Sequence, residues 1–91
     1  IDADFIVERV RPARGGEAVL LDPPRLGTAE GVAAALAERR PERVVHVCCG
    51  TDEIPREVAA WSAAGYVVRR AVPLDLFPGT PNLETLLLLT R

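Results

Sequence analysis

The sequence predicts an α/β fold: a mostly parallel sheet with helical crossovers and an antiparallel last strand, matching the second half of a doubly wound sheet. Three observations carry this. Short apolar runs alternate with Ala- and Glu-rich segments in the order strand, helix, strand, helix, strand, loop, strand, and such alternation builds parallel sheets. The last connection, Phe77 to Asn82, is too short to hold a crossover helix, so the strand after it must reverse direction. No Gly-x-Gly-x-x-Gly turn follows a strand; Gly15-Gly16 precedes one. The half of such a fold that cradles a nucleotide is therefore missing.

The elements follow in order. Asp4 to Arg11 is expected as one short helix. Ala18-Val19-Leu20-Leu21 is an apolar run stopped by Asp22-Pro23-Pro24, as a buried strand ended by two prolines would be. Ala29 to Arg39 is rich in good helix formers, with Thr28 placed to cap it and Pro41 just past its end. Arg43 to Cys48 is a second strand. Asp52 to Ala64 is a second helix, capped by Thr51 or Asp52, with Pro55 in its first turn and Gly65 closing it. Tyr66 to Leu74 and Leu83 to Thr90 are the last two strands, separated by a loop bearing Pro78, Gly79 and Pro81.

Composition narrows the classes. Hydrophobic residues make up 48% and charged residues 26%, the balance of a globular domain. Apolar runs such as Leu86 to Leu89 fall far short of the roughly 18 residues a membrane span needs. No signal-peptide pattern opens the chain. It begins with Ile1 rather than Met, so a fragment or a processed product is expected. The net charge of −2 announces no nucleic-acid surface. All eleven positive charges are arginine, which reflects a GC-rich genome more readily than an RNA patch. Cys48 and Cys49 are adjacent. A disulfide between neighbours strains the peptide joining them, so free thiols and a reducing cytoplasm are expected.

Ligands in open α/β sheets bind at the carboxyl ends of the strands. Asp22 ends the first strand and Cys49 follows the second. As neighbours these strands would lie about 4.8 Å apart and line one crevice. The reversed last strand starts at the same edge, which brings Glu84 there too. Cys49 has two readings: a nucleophile activated by the helix that follows it, or a small buried core residue. Asp22 likewise is either a solvated strand terminator or a carboxylate held rigidly by the prolines. Strand alternation puts His46 and Cys48 on one face and Cys49 on the other. His46, the sole histidine, then cannot serve as the base for Cys49, which disfavours an unrelated thiol enzyme. One histidine and two adjacent cysteines do not make a zinc site either. Trp61, Tyr66 and Phe77 read as packing residues.

Taken together, several motifs resemble those of the RNA uracil-5-methyltransferases, which act on transfer or ribosomal RNA. They are Asp22-Pro-Pro-Arg-x-Gly27, Pro41-x-Arg43-Val-Val-x-Val47-x-Cys49, Gly65-Tyr66, Asp75-Leu-Phe-Pro78-x-Thr80, and Glu84 before an apolar strand. The resemblance covers Val19 to Arg91. It implies a Rossmann-like S-adenosylmethionine methyltransferase fold. Residues 1–91 would form the C-terminal portion of its catalytic domain, without the cofactor-binding half. It further implies Cys49 as nucleophile, Glu84 as general base, Asp22 at the S-adenosylmethionine site, and RNA as partner. Such a fragment alone would be inactive, and its first strand would be an apolar edge open to self-association. The family's Ser-Cys-Asn-Pro motif is altered here by Cys48 and by Gly50-Thr51, and Asn82 stands where a histidine precedes the base. These departures keep a non-catalytic RNA-binding or scaffold protein of the same fold as the alternative.

Overall fold

The computed structural model describes residues 2–23, 27–49, 52–74 and 84–91. The predicted loop from Phe77 to Asn82 and the family departures at Gly50, Thr51 and Asn82 lie outside the described residues. The elements are α1 (Ala3–Arg9), β1 (Ala18–Leu21), α2 (Val32–Glu38), β2 (Arg43–Cys48), α3 (Ile54–Ala63), β3 (Val67–Leu74) and β4 (Glu84–Thr90).

The strands form one sheet in the order β1-β2-β4-β3. β1 and β2 pair in parallel, and β4 runs antiparallel to both β2 and β3. Three strands therefore share a direction and the last opposes them, as the sequence predicts. β4 is inserted between β2 and β3 rather than added at an edge. The two helical crossovers step across the sheet the same way, so right-handed connections put α2 and α3 on one face. That face carries the core. Val44, His46 and Cys48 of β2 meet Thr85, Leu87 and Leu89 of β4 there, all buried, under Val32, Leu36 and Trp61. The residues of opposite parity, Val45, Val47, Leu86 and Leu88, are only half-buried.

Local chemistry fixes the helix ends. Asp2 caps α1, its carboxylate accepting the Phe5 N–H at 2.9 Å. At the other end of α1 the Arg39 guanidinium donates to the carbonyls of Val7 and Val10 at 3.0 Å, a cation on the negative pole of the helix. α3 ends in a Schellman turn. Gly65, with φ of 92°, donates to the Ser62 carbonyl and Tyr66 to that of Trp61. The turn sets the Trp61 and Tyr66 rings edge to face at 5.4 Å. The Tyr66 hydroxyl then donates to the Pro41 carbonyl at 2.6 Å.

Two helix starts differ from the sequence expectation. α2 begins at Val32, not Ala29, because Gly31 takes a left-handed φ of 83° at its N-cap. Thr28 does not cap it; its N–H and hydroxyl bind the Glu57 carboxylate at 3.2 and 2.8 Å. α3 begins at Ile54, and Glu53 rather than Thr51 or Asp52 stands at its N-cap. In both cases a side chain placed for local capping is used in a tertiary hydrogen bond or displaced from the helix end.

Candidate active site at the carboxyl edge of β2

β2 ends in two thiols that face opposite ways. Cys48 is fully buried among the helices, and Cys49 is half-buried on the other face. Burial pushes the Cys48 thiol up to about 11, reinforced by the charges of Glu53 and Glu57. It stays protonated at neutral pH and is a poor nucleophile. Cys49 is the reachable thiol.

Register brings Glu84 to it. Cys48 pairs with Thr85 in the antiparallel β2–β4 ladder, so Cys49 and Glu84 are the next opposing pair, on the face without helices. The Cys49 Sγ lies 4.0 Å from Glu84 Oε1 and 3.9 Å from the carbonyl oxygen of Pro23. Both are long, weak contacts for a thiol donor. They place the turn after β1, the nucleophile candidate and the base candidate within touching distance. Asp22, next to Pro23, is exposed one residue past the end of β1. Cys49 and Glu84 are thus in direct contact, whereas Asp22 joins them through its neighbour's carbonyl.

The helix expected to activate Cys49 begins later than the sequence predicts. α3 starts five residues after Cys49, at Ile54, with Glu53 at its N-cap and no side-chain capping bond there. Glu53 is 8% exposed, and its Oε1 accepts the Cys49 backbone N–H at 2.7 Å.

His46 is structural, as its strand parity requires. Its Nδ1 accepts the Trp61 indole N–H at 3.1 Å inside the core, which fixes the neutral tautomer with the proton on Nε2. Burial holds its pKa below the usual value, opposed by Glu57 and Glu53. Nε2 lies 3.7 Å from Glu57 Oε2, beyond hydrogen-bond length. Glu57 instead serves Thr28 and the Arg56 guanidinium, the latter at 3.2 Å. Gly27 touches the same group. It has a φ of 86°, and a Cβ there would collide with the Arg56 guanidinium and come within 2.7 Å of Glu57 Oε1. Glu57 thereby ties the segment after β1 to α3. Sequence reading missed both Glu53 and Glu57. One signal was present: Glu53, Glu57 and Trp61 recur every four residues, so two acids share the inward stripe of the helix with its tryptophan. Among the described residues no group of His, Cys, Asp or Glu is arranged to hold a metal ion, and no helix is long and apolar enough to cross a membrane.

No family model matches the chain. It is 42% identical over 73 residues to an uncharacterised RNA methyltransferase of Corynebacterium efficiens, covering 80% of this chain and 17% of that protein. It is 35% identical over 89 residues to one from Geobacter sulfurreducens, covering 98% of this chain and 18% of that protein. The chain thus spans about a fifth of the length of the curated relatives it matches. Among solved structures it resembles a Pyrococcus abyssi tRNA (uracil-54, C5)-methyltransferase in complex with S-adenosyl-L-homocysteine. That match has a TM-score of 0.73 at 30% identity, over 91% of this chain and 20% of that one. An M1.HpyAVI–SAM complex shares the fold at a TM-score of 0.69 and 18% identity, over 100% of this chain and 51% of that one.

Proposed function

We propose, from the premise that the chain belongs to the RNA uracil-C5 methyltransferase family, that it carries the reacting residues of an enzyme that methylates carbon 5 of a uridine in transfer or ribosomal RNA. The contact between Cys49 and Glu84 is the observation that supports this most. Carbon 5 of uracil is too weak a nucleophile to take a methyl group directly. The Cys49 thiolate adds to carbon 6, the electron pair of the ring double bond moves towards the carbonyl at carbon 4, and carbon 5 becomes nucleophilic. S-adenosylmethionine, when bound, supplies the electrophilic methyl group. Glu84 then takes the proton from carbon 5, and the returning electrons expel the thiolate. Carbons 5 and 6 are bonded neighbours, so nucleophile and base must converge on one ring edge. A sulfur and a carboxylate oxygen 4.0 Å apart have that convergence. The half-buried, helix-free face leaves room for a base extruded from its stack.

Asp22 fits the cofactor side. It is an exposed carboxylate at the carboxyl end of edge strand β1, backed by the Pro23 carbonyl that touches Cys49. An acceptor there can receive hydrogen bonds from the polar groups of S-adenosylmethionine. The chain is the C-terminal portion of the catalytic domain, and both its cysteines are free thiols, consistent with work in the cytoplasm.

The test uses the methyltransferase that carries this chain. Cys49→Ala is expected to abolish 5-methyluridine formation. Glu84→Gln is expected to let the thiol add while blocking release, so a covalent protein–RNA adduct accumulates. Retained 5-methyluridine in Cys49→Ala would sink the assignment. RNA binding without any methyl incorporation by the unaltered protein would favour the alternative that the departures at Gly50, Thr51 and Asn82 support, a non-catalytic RNA-binding descendant of the fold.

A further inference from the structure

Cys49 is gripped from a side that neither its strand nor its partner strand supplies. Glu53 stands at the N-cap of α3, where a side-chain oxygen ordinarily accepts an N–H of its own helix. It makes no such bond. Its carboxylate turns backward and accepts the Cys49 amide at 2.7 Å, the length of a charge-assisted bond. Placing a carboxylate where it is only 8% exposed is costly unless its hydrogen bonds repay the lost hydration.

We propose that Glu53 is a positioning residue for Cys49. By fixing the amide of the nucleophile's own residue it sets the direction of the Cα–Cβ bond, and so keeps Sγ between the Pro23 carbonyl and Glu84. The bond also occupies the Cys49 N–H, so that amide does not stabilise the enolate oxygen. This inference rests on the reading of Cys49 as nucleophile.

Glu53→Ala and Glu53→Gln in the full-length methyltransferase separate the possibilities. The first readout is the rate of covalent capture by RNA containing 5-fluorouridine, where fluorine at carbon 5 cannot leave as a proton and the adduct persists. Glu53→Ala is expected to slow capture by about tenfold to a hundredfold, the scale of a misplaced reacting group, with RNA affinity within about twofold. Glu53→Gln, whose amide oxygen can accept the same N–H, is expected to recover to within about threefold. The second readout is hydrogen exchange at the Cys49 amide, faster in Glu53→Ala and near the parent value in Glu53→Gln. Capture by Glu53→Ala at the parent rate would overturn the proposal, as would equal losses in both variants at unchanged melting temperature. If the parent protein forms no adduct, the nucleophile reading fails instead. Amide exchange then still decides whether Glu53 holds Cys49, because unchanged exchange in Glu53→Ala would overturn the positioning role.

Discussion

The two faces of the sheet are made by the same strands and follow opposite rules. On the face covered by helices, His46, Glu57, Trp61 and Tyr66 are nearly inaccessible, and each has a side-chain hydrogen bond: Trp61 to His46, Thr28 to Glu57, Tyr66 to Pro41. On the other face Val45, Val47, Leu86 and Leu88 are half-buried, Leu20 is 72% exposed, and the proposed nucleophile–base pair, Cys49 and Glu84, stands at the carboxyl edge. Close packing leaves no room for a substrate, so the covered face sets stability. The open face has lost that constraint and can carry chemistry. The two thiols show the divide within one dipeptide: Cys48 is buried with its pKa raised, and Cys49 is accessible beside a carboxylate.

Substitutions can break this division. The largest stability effect is expected on the covered face. Leu87→Ala should cost about 2–5 kcal/mol, the range for an emptied core site, read as a lowered denaturation midpoint. A cost comparable to that of Leu86→Ala on the open face would contradict the contrast. Glu57→Ala should follow at about 1–3 kcal/mol, because the Thr28 N–H and the Arg56 guanidinium lose their acceptor; a neutral result would show that Glu57 does not join the segment after β1 to α3.

Acid sharpens the same comparison. Burial lowers the His46 pKa from the usual 6.5, so below that value the unfolded chain binds a proton that the folded chain resists. Stability should be constant above about pH 6.5 with respect to this group and fall as pH drops beneath it. Melting curves between pH 5 and 8 should show the decline, and His46→Gln should flatten it. A decline of the same size in His46→Gln would place its origin elsewhere. The smallest stability effect, within about 0.5 kcal/mol, is expected for Leu20→Lys on the open face. The same change should reduce self-association of the isolated 91-residue chain, which we expect to pair through the free edge of β1. Light scattering that finds the unsubstituted chain monomeric would remove that expectation.

Much of this was legible in the residues, and what was not shares one cause. The reversal of β4 followed from the short connection before it. The opposite facing of Cys48 and Cys49 followed from strand alternation, as did the exclusion of His46 as a base. Trp61, read from the sequence as a packing residue, is buried in the core. Glu53 and Glu57 were missed because an acid near a helix start ordinarily signals a solvated cap. Only a bond to Cys49 or Thr28 shows otherwise, and in Glu57 that partner lies 29 residues away. The late start of α2 was missed because Gly31 and Thr28 satisfy local rules in two ways, and tertiary demand for Thr28 chose between them.

By itself the sequence determined the order of elements, the strand directions and which side chains alternate to which face. These depend on periods of two and 3.6 residues and on connection length, all of them local. Only the tertiary structure decided that β4 slots between β2 and β3, making Glu84 the cross-strand neighbour of Cys49, and that Glu53 folds back onto the Cys49 amide. Strand order and a buried carboxylate's choice of partner are set by competition among groups distant in the chain or poised between alternatives, and burial of the whole core selects among those arrangements.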